Sequence, residues 1–117
     1  MRHLVIYAHP NQDSLNSQLK EALVQQLEEQ GHDIIIRDLY RMNFNPILSS
    51  NDIIGQMSGE SAGDITREQE FITWAETITF IHPIWWTGLP AILKGYIDRV
   101  FTYGFAYRYD KGIQKGL

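Results

Sequence analysis

Two short turns in the sequence combine residue types that can bind a ligand. In the first turn, residues 9–16, the hydroxyl of Ser14 and the amide of Asn16 stand where a helix is predicted to begin. The first N–H groups of a helix lack partners and the helix dipole is positive there, so this turn favours an anion such as phosphate. An ordinary helix cap is the alternative interpretation of Ser14. The GxGxxG pattern of dinucleotide-binding proteins and the P-loop pattern of nucleotide triphosphatases are both absent from the sequence.

The second turn, residues 82–89, carries two adjacent tryptophans shortly after a proline. Adjacent residues cannot share one face of a helix or strand, so Trp85 and Trp86 must point in different directions. Gly88 would let the backbone approach a flat ligand closely. Two interpretations follow: one tryptophan fills the core while the other covers a loop, or the pair flanks a planar redox ligand.

A third group of aromatic residues, Phe105, Tyr107 and Tyr109, alternates within the sequence GFAYRYD. Such rings with hydroxyl groups can line a substrate pocket, and the alternative is an ordinary sheet edge or a dimer contact. His3 and His32 have no further ligand at a metal-binding spacing, so we predict no metal site.

Apolar runs predict three strands, at residues 3–8, 33–39 and 77–81. Helical patterns alternate with them, which predicts a parallel sheet covered by helices, a doubly wound α/β fold. Ligands of such folds bind at the carboxyl ends of the strands, which is where the first and second turns lie.

Three helices are predicted, at residues 14–31, 64–75 and 90–101. Ser14 is the expected cap of the first helix, whose leucines from Leu15 onward recur at helical spacing. Asp64 or Thr66 is the expected cap of the second helix, and Pro90 is the expected first residue of the third. Residues 40–63 form a long excursion with one short helix near Asp52.

Composition excludes several classes of protein. With 117 residues, 44% of them hydrophobic, the chain is expected to form one domain with a buried core. Its 14 acidic and 10 basic residues give a net charge of −4, which makes nucleic acid an unsuitable partner. The absence of cysteine excludes disulfides, thiolate metal sites and a cysteine nucleophile, and favours a cytoplasmic location. The apolar run at the N-terminus is too short for insertion into a membrane.

Three segments together resemble the NAD(P)H:quinone oxidoreductase family, the DT-diaphorase-like proteins with a flavodoxin-like fold. They are AH-x(4)-S-x-N at residues 8–16, DLYRMNFNPILS at 38–49, and HPIWWTGLPAILKGYIDRVFTYGFAYRYDKG at 82–112. The resemblance implies a flavodoxin-like doubly wound parallel sheet, of which residues 1–117 form the N-terminal part with about three strands and three helices.

The resemblance also implies cofactors, a reaction and a set of site residues. Family members bind FAD or FMN, of which FAD is expected here and FMN is the alternative. They accept hydride from NADH or NADPH at the flavin, reduce a quinone-type acceptor by two electrons, and commonly form homodimers. By position, the phosphate side of the flavin would be bound by His9, Ser14, Leu15, Asn16 and Gln18, and its ring by Pro83, Ile84, Trp85, Trp86 and Thr87. Tyr107 and Tyr109 would border the substrate pocket from the partner subunit.

The sequence departs from the family pattern at three places. Some relatives have a polar residue where Trp85 stands, and a phenylalanine is familiar at Thr87. The family's catalytic Tyr and His would lie beyond Leu117, so no catalytic residue is assigned, and we expect a truncated form or an edge covered by another chain. A flavin-binding accessory subunit of a potassium-efflux system is the alternative function, and an α/β binding domain without flavin is a third.

Overall fold

The structure, a computed structural model, describes residues 1–116. In chain order its elements are β1 (Arg2–Tyr7), α1 (Leu15–Glu29), β2 (Asp33–Asp38), α2 (Ser50–Ser58), α3 (Gly63–Trp74), β3 (Thr77–Ile81), α4 (Ala91–Val100), β4 (Tyr107–Asp110) and β5 (Ile113–Gly116). The three predicted strands are confirmed as β1, β2 and β3.

The first three strands form a parallel sheet in the order β2-β1-β3. β1 is buried from His3 to Tyr7 because it is central and covered on both faces, as its continuous apolar sequence predicts. The chain moves from β1 to one side of the sheet and then crosses to the other side. This order and the covering of both faces confirm the flavodoxin-like, doubly wound arrangement.

The two faces of β1 pack against different helices. Leu4, Ile6 and Ala8 join a core cluster with Ile65 of α3 and with residues of α4. On the opposite face Tyr7 lies beneath α1, with the Nζ atom of Lys20 4.5 Å from the centroid of its ring. α1 therefore covers one face, and α3 and α4 cover the other. Among residues 1–116, no helix is both long and apolar enough to cross a bilayer.

The helix boundaries follow some sequence signals and not others. Ser14 caps α1 as predicted, and Gly31, with φ of 81°, follows its C-terminus. The predicted caps of α3 are wrong: the helix begins at Gly63 after Ala62, which makes no side-chain cap. Asp64 and Thr66 lie inside the first turn of α3. Pro90 precedes the first helical residue of α4 instead of being it, because its ψ of 145° is extended.

The excursion at residues 40–63 is ordered by a buried arginine. The predicted short helix is confirmed as α2, which Ser49 and Asp52 begin with a capping box. Arg99 of α4 is 5% exposed and donates to the carboxylates of Asp52 and Asp64 and to the carbonyl oxygen of Asn45. Because a buried cation needs partners on every side, this network ties α2 and α3 to α4.

Two further strands, β4 and β5, form an antiparallel hairpin that the sequence did not predict. Its turn contains Lys111 and Gly112, with φ of 52° and 79°. Both strands are only four residues long, and β5 is exposed throughout. Such a short, exposed ribbon carries too little apolar alternation to be recognised from sequence.

Candidate functional site

The first and second turns lie side by side at one edge of the sheet. They follow β1 and β3, which are neighbours, and the N–H of Ala8 donates to the carbonyl oxygen of Ile81 at 3.0 Å. The chain leaves β1 toward β2 on one side and later returns to β3 on the other, so the strand order reverses at the gap between these two strand ends. Ligands of doubly wound folds bind in that crevice.

The first turn combines a helix cap with unpaired donors. The Oγ atom of Ser14 accepts a hydrogen bond from the N–H of Ser17 at 3.0 Å. Within the described chain the N–H groups of Leu15 and Asn16 donate to no protein acceptor. The cap and the anion site are therefore compatible, because Ser14 satisfies one N–H of the helix end and leaves two for a ligand.

His9 adds a further donor beside these N–H groups. Its Nδ1 atom accepts a hydrogen bond from the N–H of Asn11 at 2.9 Å. A ring nitrogen that accepts carries no proton, so the proton of the neutral ring is on Nε2. The imidazole can therefore donate a hydrogen bond to an anion from Nε2.

The second turn is a tight, strained reversal. The N–H groups of Trp85 and Gly88 each donate to the other residue's carbonyl oxygen, at 3.2 and 3.1 Å. Trp86 and Thr87 between them have φ of 54° and 56°, a left-handed conformation that large and β-branched residues rarely adopt. Such strain persists at sites where the surrounding structure enforces it.

Neither tryptophan of the second turn fills the core. Trp86 is 98% exposed and Trp85 is 41% exposed, so the interpretation that one of them is core packing is wrong. The ring of Trp85 meets the ring of His9 at a centroid distance of 6.0 Å and an angle of 61°. This edge contact joins the two turns.

The other predicted cofactor residues are spread around these groups. Leu15 and Ile84 are 70% and 75% exposed, Gln18 is also exposed, and Pro83 is half-buried. Their exposure leaves apolar surface available on both sides of the crevice. Packing within the chain does not require glycine at position 88, because a Cβ atom there would lie 3.7 Å from its nearest neighbour.

The predicted substrate residues, Tyr107 and Tyr109, lie elsewhere. Their rings cluster with the ring of Tyr103, which the sequence reasoning did not select, at centroid distances of 5.8 to 6.4 Å. Phe105, two residues before Tyr107, lines a cavity with Ile78, which lies near the start of β3. The tyrosines are thus beyond the far end of α4, away from both turns of the same chain.

A cleft of about 640 Å³ lies outside the crevice, between the end of β2 and the start of α3. Three of its charged side chains, Arg37, Asp64 and Glu68, are already in ion pairs. Arg37 binds Glu68 at 2.7 Å, and Asp64 binds Arg99 at 2.6 Å. The hydrogen bond from Arg99 also lowers the pKa of Asp52 below its ordinary value. Because these charges stabilise the fold, we do not assign the cleft as the site.

The crevice suits a planar ligand that carries phosphate. One side offers N–H donors and the positive end of α1, and the other offers a rigid aromatic turn. A flavin nucleotide has both a flat ring and a phosphate group, so the residues present fit it. The fold is that of a doubly wound α/β protein, and the crevice at its β1–β3 junction fits a nucleotide-type ligand.

Comparison with known proteins identifies the family. Residues 1–117 match the family described by the flavodoxin-like fold, and the chain belongs to it. The chain is 46% identical to an uncharacterised NAD(P)H oxidoreductase of Haemophilus influenzae and 38% identical to NAD(P)H dehydrogenase (quinone) 1 of Rattus norvegicus. Among solved structures, an NAD(P)H:quinone oxidoreductase from Methanothermobacter marburgensis superposes with a TM-score of 0.87 at 41% identity.

These matches cover nearly all of this chain but only part of each relative. The alignments include 100%, 98% and 93% of the chain, and 58%, 48% and 57% of the respective relatives. The chain thus spans about half the length of the proteins it matches. The resemblance to quinone oxidoreductases is confirmed, whereas the accessory-subunit alternative finds no support among these relatives.

Proposed function

We propose that this chain binds the phosphate side and the ring of a flavin in an NAD(P)H:quinone oxidoreductase. The observation that carries the proposal is the adjacency of the two turns, which brings unpaired N–H donors and an exposed aromatic turn to one crevice. The named activities of the relatives support it. FAD is the expected cofactor and FMN the alternative. NADH or NADPH is the donor, and a cytoplasmic location is part of the proposal.

The chain's own residues would bind and orient the cofactor. The N–H groups of Leu15 and Asn16, with Nε2–H of His9, would hold phosphate at the positive end of α1. Residues 83–87 would flank the ring and shield one side of it from water. When bound, a flavin would supply two-electron redox chemistry between a reduced nicotinamide and a quinone. No nucleophilic side chain is needed.

An absorbance experiment tests the proposal. The purified chain is incubated with FAD or FMN and desalted, then NADPH or NADH is added without oxygen, followed by a benzoquinone. We expect a retained flavin band that bleaches with the nicotinamide and returns with the quinone. A folded chain that retains neither flavin would overturn the proposal. Retention without bleaching would reject an oxidoreductase activity of this chain.

Two serine caps provide a matched test of the phosphate site. Ser14 and Ser49 both begin helices and both accept a hydrogen bond from a backbone N–H at 3.0 to 3.1 Å. Aspartate also caps helices well, so Ser14→Asp and Ser49→Asp should both fold. We expect only Ser14→Asp to weaken flavin nucleotide binding, by about tenfold or more, because it places a negative charge beside the phosphate. Equal affinities of the two variants would contradict the assignment.

We also propose that the active form is a homodimer in which Tyr107 and Tyr109 enter the partner's site. Their position supports this, because the ten residues of α4, about 15 Å of helix, separate them from the second turn of their own chain. Sedimentation equilibrium should show a dimer, and Tyr109→Leu should raise the KM for quinone without releasing flavin. A stable, active monomer would contradict this proposal.

A further inference from the structure

Trp85 connects the strained second turn to the first turn. Two backbone hydrogen bonds with Gly88 fix its main chain, and its ring lies against the ring of His9. The residues that close the turn, Trp86 and Thr87, are held in a left-handed conformation that large and β-branched residues rarely adopt. A turn held in this way gives the Trp85 ring a defined position.

His9 depends on its ring orientation to donate correctly. The bond from the N–H of Asn11 to Nδ1 leaves Nε2 as the protonated atom. Rotation of the half-buried imidazole would break this bond, and the proton could then move to Nδ1. The ring of Trp85 occupies space beside the imidazole and thereby opposes that rotation.

We propose that Trp85 is a positioning residue that holds the His9 imidazole with its Nε2–H available to the phosphate of a bound nucleotide. The inference rests on the proposed function, since it assumes that the anion is the phosphate of a flavin nucleotide. Trp85 acts through His9, so its effect depends on the ligand's phosphate and disappears when His9 is replaced.

The adjacent tryptophan provides the matched control. Trp85 contacts His9, whereas Trp86 is 98% exposed and makes no aromatic contact with a described residue. Nitrogen-15 NMR of the histidine ring, recorded without flavin, reports which nitrogen carries the proton. We expect wild type, Trp86→Leu and Trp85→Phe to show His9 protonated at Nε2, and Trp85→Leu to show a mixture of the two forms. A single unchanged form in Trp85→Leu would overturn the inference.

Binding of FMN and of riboflavin, which lacks the phosphate, supplies the second measurement. We expect Trp85→Leu to raise the ratio of the FMN Kd to the riboflavin Kd by about fivefold, the size of one aromatic pair contact. Trp86→Leu should change both affinities together and leave the ratio as in wild type. In a His9→Ala background, Trp85→Leu should no longer change the ratio.

The outcomes separate this inference from the proposed function. If wild type binds no flavin, the proposed function fails, and the NMR experiment still decides whether Trp85 orients His9. If wild type binds FMN but Trp85→Leu leaves the ratio unchanged, the positioning role is wrong and the flavin site stands. Circular dichroism of each variant confirms folding, which is expected because Trp85 is 41% exposed.

Discussion

The two helices that follow the two turns are anchored very differently. In α1 only Ser17 is buried, and Leu15 and Leu19 are 70% and 54% exposed. In α4, Leu93 and Tyr96 are at most 1% exposed and belong to the main core. The first turn thus begins a loosely covered helix, and the second turn leads into a firmly packed one.

The difference explains which turn can sustain strain. The first turn uses an ordinary cap, so it needs no support from packing. The second turn holds two residues at positive φ, and α4 begins four residues after Thr87. The burial of α4 provides stabilisation that offsets the strain of the second turn. The unstrained first turn can therefore be followed by a loosely packed helix, whereas the strained second turn cannot.

Truncating one leucine in each helix gives the largest expected contrast. Leu93→Ala should lower the free energy of unfolding by about 3 kcal/mol, because it removes buried methyl groups and leaves a cavity. Leu19→Ala should change it by less than about 0.5 kcal/mol, since that side chain is half in water. Urea denaturation measures both. Similar losses in the two variants would mean that α1 is as firmly packed as α4.

Adding one methyl group to α4 should have a somewhat smaller effect. A Cβ atom on Gly95 would lie 2.2 Å from the backbone oxygen of Pro46, so Gly95→Ala must displace the loop before α2. We expect a loss of about 2 kcal/mol. Gly63→Ala is the control, because a Cβ atom there meets nothing within 4 Å. Thermal unfolding should show a lower Tm for Gly95→Ala only.

The α1 face of the sheet should be sensitive to acid. Burial, and then the charge of His32, lowers the pKa of His3 from its ordinary value of 6.5. Below pH 6.5 the unfolded chain therefore takes up a proton that the folded chain does not, and stability falls by at most about 1.4 kcal/mol per pH unit. The fall ends once the pH is below the pKa in the folded state.

Urea denaturation between pH 7.5 and pH 5 measures this effect, with His3→Gln as the comparison. That variant removes the titrating group while glutamine can still bond to Thr79, the present partner of the His3 ring. An identical pH dependence in wild type and variant would show that His3 does not contribute.

Relieving the strain of the second turn should give the smallest change. Thr87→Gly permits the φ of 56° at no steric cost, so we expect a gain of about 0.5 to 1 kcal/mol in unfolding free energy. Lys111→Gly, at φ of 52° in the hairpin, should give a similar gain. Only Thr87→Gly should weaken flavin binding, because only that turn is at the site. A loss of stability in Thr87→Gly would show that its side chain contributes more than its backbone costs.

Local signals predicted the parallel sheet and the positions of both turns. The continuous apolar run of β1 identifies a central strand, and Ser14 identifies the start of α1, because both depend on neighbouring residues alone. The cap of α3 was mispredicted for the opposite reason. Asp64 has the right chemistry for a cap, but Arg99 from a distant helix binds its carboxylate. The partner of such a group is set by packing.

What the sequence alone determined was the order of the first three strands and the helices, the positions of the two turns and the resemblance to quinone oxidoreductases. These follow from periodicity, capping and motif, which are local properties of the chain. Only the tertiary structure decided that Trp85 meets His9, that Trp86 and Thr87 are strained, and that the tyrosines lie away from the crevice. Contacts between residues that are far apart in sequence depend on how the sheet and α4 bring chain segments together. No local sequence pattern encodes which segments meet.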